Sequence, residues 1–231
     1  MIFKNLALML GGFSIVISLT TYSWLEFYSK PLFHAVLLIA YSLLSKKIKP
    51  LFYLFYLSAM AVEYMAKSTI VFNILWVVLG YTICFSSGII LLFPLLKKGK
   101  LRLKGVNRIF VLIVITSLGY IILSTYITFL SELNTSLFFA SGLLPFTAFL
   151  ASCFYITSVY NHPNSIYLFL TGIGYSITCL LGLIILALQV QNVMLSGLLN
   201  LSELIAQFCF VFFMIDFNEV LNNRDIIALE D

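Results

Sequence analysis

NLSELIAQFCFV, residues 200–211, lies inside an apolar run that extends from Val193 to about Ile215. One carboxylate, Glu203, stands in it, with the amides Asn200 before it and Gln207 after it. A continuous apolar run of this kind crosses a bilayer in roughly 20 helical residues. Ser196, Asn200, Glu203 and Gln207 recur at spacings of four, three and four, so a helix carries them along one stripe. Glu203 is ten residues past Val193, about 15 Å along the axis and near the bilayer midplane. An ionisable side chain at that depth is costly and faces a bundle interior rather than lipid.

The rest of the chain repeats the apolar pattern. Of 231 residues, 62% are hydrophobic and 10% charged, against roughly 25% charged in a soluble domain; the mean hydropathy is +1.09. A water-soluble fold of this length cannot bury that much apolar surface. A β-barrel needs short strands alternating apolar and polar residues, and these runs are continuous. The expected fold is an all-α polytopic membrane protein of about eight transmembrane helices, a single bundle over residues 1–217 with a short cytoplasmic tail at 218–231. The predicted spans are Asn5–Leu25, a second beginning after Lys30-Pro31 and ending at Lys46-Lys47, Pro50–Ala66, Thr69–Leu96, Ile109–Leu130, Leu137–Tyr160, Ile166–Leu188 and Val193–Ile215.

Eight spans put both termini on one side, together with the loops KKIK and KKGKLRLKGVNR. That side holds Lys4, Lys46, Lys47, Lys49, Lys97, Lys98, Lys100, Arg102, Lys104, Arg108 and Arg224, eleven basic residues; the other holds two, Lys30 and Lys67. The positive-inside bias places both termini in the cytoplasm. The net charge of +4 is that of lysines flanking spans near anionic headgroups, so no nucleic-acid partner is expected. Lys4 and the run after it resemble the start of a signal peptide, but the run is long and SLTTYSW has no small-x-small cleavage site; a retained first helix is expected. The four cysteines, Cys84, Cys153, Cys179 and Cys209, stand singly, and His34 and His162 lie far apart. Neither a disulfide framework nor a metal site is indicated, and no cofactor is expected. Walker and GxSxG motifs are missing from the sequence, so chemistry, if any, belongs to polar residues inside the spans.

Those residues are few. Glu63 in the third span precedes Lys67 by four, the spacing of an interfacial ion pair on a helix. The seventh span carries Gly172, Ser176, Cys179 and Gly182, a small-residue stripe that lets a neighbouring helix approach. Glu203 has two readings: a carboxyl that stays protonated and hydrogen-bonds a neighbouring helix, or, given the amide on either side, part of a polar cavity.

Several local features are similar to those of the YhhN-like family of lysoplasmalogenase-type membrane proteins. Lys30-Pro31 opens the second span. Val62-Glu63 stands in the third, where the family has an acid near a Gly-Asp pair. Ala206-Gln207 matches the end of the family's Tyr-x-x-Ala-Gln, with Glu203 at the tyrosine. YTICF, Tyr81 to Phe85, occupies the place of a histidine followed by tyrosine, and GIGYSITCLLGL has Ser176 but no aspartate where the family has Ser-Asp. The resemblance implies hydrolysis of the vinyl ether bond of a lysophospholipid bearing a 1-alkenyl chain, in a bacterial inner membrane. That reaction requires a proton donor to carbon and a water, and a carboxyl in apolar surroundings suits the first role. The implied roles are Glu203 as acid and Glu63 as stabilising anion or water-orienting base. Lys30 at the outer interface meets the substrate phosphate, Asn200 and Gln207 hold headgroup or water, and Ser176 and Tyr81 line the substrate site. The missing aspartate and histidine keep a non-catalytic lipid-binding or scaffold protein in view. A small proton-coupled transporter, with Glu203 as relay, is a further alternative. Oligomeric state is not legible.

Overall fold

The computed structural model describes residues 2–20, 23–67, 74–99, 136–160, 162–188 and 192–222, with 113, 116, 117, 119, 120 and 124 besides. Among the described residues the protein is all-helical. Its helices are α1 (Ile2–Ser18), α2 (Ser23–Leu44), α3 (Pro50–Lys67), α4 (Ile74–Lys98), α5 (Ser136–Val159), α6 (Ser165–Leu188), α7 (Val193–Ile215) and α8 (Phe217–Asn222). Four are long and apolar enough to cross a membrane: α4 through Val78–Lys98, α5 through Gly142–Val159, α6 through Ser165–Gly182, and α7. The predicted fifth span, with most of its residues, lies outside the described residues.

The first two spans differ from their predicted bounds. Within 5–25 the sequence reads as one apolar run, yet α1 stops at Ser18. The Ser18 hydroxyl donates to the Ile15 carbonyl and the Thr20 hydroxyl to that of Ile17, both at 2.8 Å. The next helix then starts at Ser23 rather than after Pro31, and Pro31 lies inside it. α3 opens on Pro50, whose missing N–H costs nothing at a first helical position.

The chain divides into two compact units. Unit 1, Met1–Ile48 with His162–Arg224, carries α1, α2, α6, α7 and α8. Its centre is α7, which packs against α6, α1 and α2. From Phe208 to Met214 every residue of α7 is buried, as in a helix covered on all sides. The closest approach is to α6: a Cβ on Gly174 would stand 2.8 Å from both the Ala206 Cβ and the Ser202 carbonyl. The small-residue stripe expected on this helix is therefore led by Gly174, whereas a Cβ on Gly182 would come no nearer than 3.9 Å to Leu199. Toward α1, Gly197 leaves room for Leu19, and Gly11 of α1 faces the Phe33 ring of α2. Lys4, near the start of α1, bonds Tyr167 near the start of α6 and lies over the Phe212 ring near the end of α7. Thus α1 and α6 run one way and α7 the other. Lys46, just past α2, bonds Glu219 of α8, which follows α7, so α2 runs with α7.

Unit 2, Lys49–Asn161, carries α3, α4 and α5, with α4 packed against both others. Phe55, Phe85, Phe146 and Phe149 form its aromatic centre, with ring centroids 4.9 to 5.6 Å apart. Gly88 makes the space: a Cβ there would stand 2.7 Å from the Phe149 ring. Two hydroxyls close the end of α4, Tyr160 donating to the Leu95 carbonyl at 2.9 Å and Tyr155 to that of Gly99 at 3.1 Å.

Candidate functional site

Two of the side chains singled out by sequence meet in unit 1. The Lys30 ammonium donates to the Asn200 side-chain carbonyl at 2.8 Å. Lys30 is 3% exposed and Asn200 5%. Each is seven residues past the first residue of its helix, α2 or α7, about 10 Å along the axis. Because these helices run in the same direction, the pair sits two turns in from one end of the unit. The helix that carries Lys30 starts at Ser23 rather than after Pro31, and Lys30 is buried within the protein. A hydrogen bond to a charged group contributes about 1.5–3 kcal/mol.

The polar stripe of α7 divides into two edges. Asn200 and Gln207, seven residues apart, are buried at 5% and 2% exposure. Ser196 and Glu203, also seven apart, lie further out, Ser196 exposed and Glu203 half-buried. Glu203 therefore borders the Lys30–Asn200 pair from a position that remains reachable. The Oε1 of Gln207 has no hydrogen-bond partner among the described residues.

The remaining predicted residues fall elsewhere. Ser176 donates to the Gly172 carbonyl of its own helix at 2.8 Å, the ordinary back-bond of a helical serine. Tyr81 belongs to unit 2, is 39% exposed and stacks on Phe85 with centroids 5.7 Å apart. Glu63, 7% exposed, is also in unit 2.

Sequence reading missed two neighbours of Lys30. The Ser29 hydroxyl shares a 3.0 Å hydrogen bond with that of Ser14 on α1. His34, one turn further along α2, is fully buried, with its ring edge-on to Phe33 at 5.5 Å. The spacing of Lys30 and His34 by four would have shown this face, given a helix that begins before Pro31. On α6 and α7, Thr178 and Ser202 share a hydroxyl–hydroxyl bond of 2.8 Å.

A second polar group closes the opposite end of unit 1. Asn164 donates through Nδ2 to Asp216 Oδ2 at 3.0 Å, joining the turn before α6 to the break between α7 and α8. Burial pushes the Asp216 carboxyl above its ordinary range and the Glu219 charge adds to this, against the pull of His162, Lys46 and Lys4. Lys46 and Glu219 pair at 2.7 Å on the surface. Their hydrogen bond and opposite charges hold the ammonium above and the carboxyl below its usual range.

No protein-family model, curated protein or solved structure matches the chain. Function therefore has to be argued from the site itself.

Proposed function

We propose that this chain is a membrane-embedded hydrolase of the vinyl ether bond of single-chain ether phospholipids, with Glu203 as proton donor. The buried Lys30–Asn200 hydrogen bond carries the reading. It gathers a cation and an amide from two helices beside the half-buried carboxyl of α7. A positive charge beside an amide, gathered in an apolar bundle, suits a phosphate-bearing headgroup, whose negative oxygens accept charge-assisted hydrogen bonds. Anchoring the headgroup there brings the first atoms of the lipid chain to the neighbourhood of Glu203, one helical turn from Asn200.

The reaction follows from vinyl ether chemistry. Glu203 transfers its proton to the β-carbon of the C=C bond, and the oxygen lone pair stabilises the resulting oxocarbenium ion. Water adds to the cationic carbon and gives up a proton to the carboxylate. The hemiacetal then breaks its C–O bond to the glycerol, releasing a fatty aldehyde and the glycerophospho-alcohol. One water is consumed and Glu203 is restored. Both termini face the cytoplasm in this proposal, and the membrane is a bacterial inner membrane.

The test is aldehyde release by purified protein from 1-alkenyl lysophospholipid, with the saturated 1-alkyl analogue as control. Turnover of the first alone is expected, lost by a factor of roughly 10²–10⁴ in Glu203→Gln. Folded wild-type protein that binds the lipid and releases no aldehyde refutes the hydrolase. It would leave a lipid-binding protein, which the Lys30–Asn200 pair supports equally well.

A further inference from the structure

Gln207 is the polar exception on α7. Ser202 donates to the Leu199 carbonyl and bonds Thr178, and Asn200 accepts from Lys30. Gln207 is more deeply buried than either, at 2% exposure, and its Oε1 meets no donor among the described residues. Buried polar atoms have a partner in roughly nine cases of ten, and an orphan signals a ligand or an internal water. An apolar methionine of similar shape would avoid the cost of an unpaired amide altogether.

We propose that the Gln207 amide holds an internal water molecule between α7's two polar edges, bridging Gln207 Oε1 to the side of Glu203. Three observations select water over a larger ligand. The flanking Ala206 and Phe208 are buried, and α6 stands so close at Gly174 that no methyl fits against Ala206. Glu203 precedes Gln207 by four residues, which makes the two side chains neighbours on the helix surface. An internal water needs two to four polar partners, and the amide and the carboxyl supply them. Use of this water as the nucleophile rests on the hydrolase reading above; its binding does not.

Radiolytic hydroxyl-radical labelling of the full-length protein in detergent tests the site. Radicals from bulk solvent do not reach buried side chains, whereas a bound water generates them in place. Leu204 and Phe208, 3% and 8% exposed, flank the site, and Leu92 and Phe149, both fully buried in unit 2, are controls. Label on Leu204 or Phe208 above the controls is expected in wild type, retained in Gln207→Glu and lost in Gln207→Met, with a lower melting temperature in the methionine variant. Wild-type labelling at control level overturns the proposal, as does a Gln207→Met protein that melts higher than wild type. Should the methionine variant fail to fold, the wild-type labelling decides alone. Label without aldehyde release removes the hydrolase and keeps the water; turnover without label does the reverse.

Discussion

Removing the acceptor at Asn200 is the sharpest perturbation the structure offers. Asn200→Leu keeps the branched heavy-atom skeleton and deletes the oxygen that receives the Lys30 ammonium at 2.8 Å. The ammonium stays 3% exposed, so water does not take over freely. A hydrogen bond to a buried charged group is worth about 1.5–3 kcal/mol. For a chain of this size each kcal/mol moves the melting temperature by roughly 2–4 °C, so a fall of roughly 3–12 °C is expected. Lys30→Met behaves differently. It takes one donor from a neutral amide but also removes a charge from an apolar interior, and the two effects oppose each other, so the net change is small. Once the ammonium is gone, Asn200→Leu removes no bond to it. The double variant should therefore lose less than the two single changes together, with a coupling of at least about 1 kcal/mol. Thermal unfolding of the four proteins in one detergent, followed by circular dichroism, measures the cycle. An Asn200→Leu protein as stable as wild type, or losses that simply add in the double variant, would show that the pair carries no stability and that Lys30 is held by other groups.

Three further outcomes follow from particular contacts. Gly174→Ala drives a methyl against the Ser202 carbonyl and the Ala206 side chain and should cost about 1–3 kcal/mol, whereas Gly182→Ala, with 3.9 Å to its nearest neighbour, should be neutral or slightly stabilising; equal melting temperatures for the two would contradict the packing of α6 on α7. Asp216→Asn keeps an oxygen for Asn164 and removes an ionised carboxyl whose pKa burial raises. A raised pKa means that the folded state favours the protonated acid, so the wild type loses stability as pH rises through that value. The variant should gain less than about 1 kcal/mol at neutral pH, the group being partly solvated, and the gain should shrink as pH falls through the carboxyl's folded pKa and vanish below its unfolded value; a gain that grows on acidification refutes the sign. Glu219 works in the opposite sense, its bond to Lys46 being lost as pH falls through a lowered pKa. Finally, the eleven-to-two distribution of basic residues predicts activity for a cytoplasm-only reporter fused after Asp231, and activity of a periplasm-only reporter there would overturn the orientation.

The helical, membrane-compatible character of the protein was legible in the sequence because it depends on apolar composition and run length, which need no tertiary information. Val193–Ile215 was read with its observed ends because Asn192 supplies the cap, its side chain accepting from the Met194 N–H, and the apolar run stops at Asp216. The ends of the first two helices were not legible in hydropathy, which reads 5–25 as one apolar run although α1 stops at Ser18 and α2 starts at Ser23. The burial of Lys30 within the protein was likewise not legible. The polar stripe at 196, 200, 203 and 207 was visible as a periodicity, but a period gives an angle around one helix and not what stands opposite. Only the packing of α2, parallel to α7 in unit 1, set Lys30 against Asn200 and left Gln207 Oε1 without a protein donor among the described residues. In the same way the sequence marked α6 as rich in small residues, while the depth of the contact at Gly174 rather than Gly182 was decided by the crossing point of two helices, a property of both surfaces and of neither sequence alone.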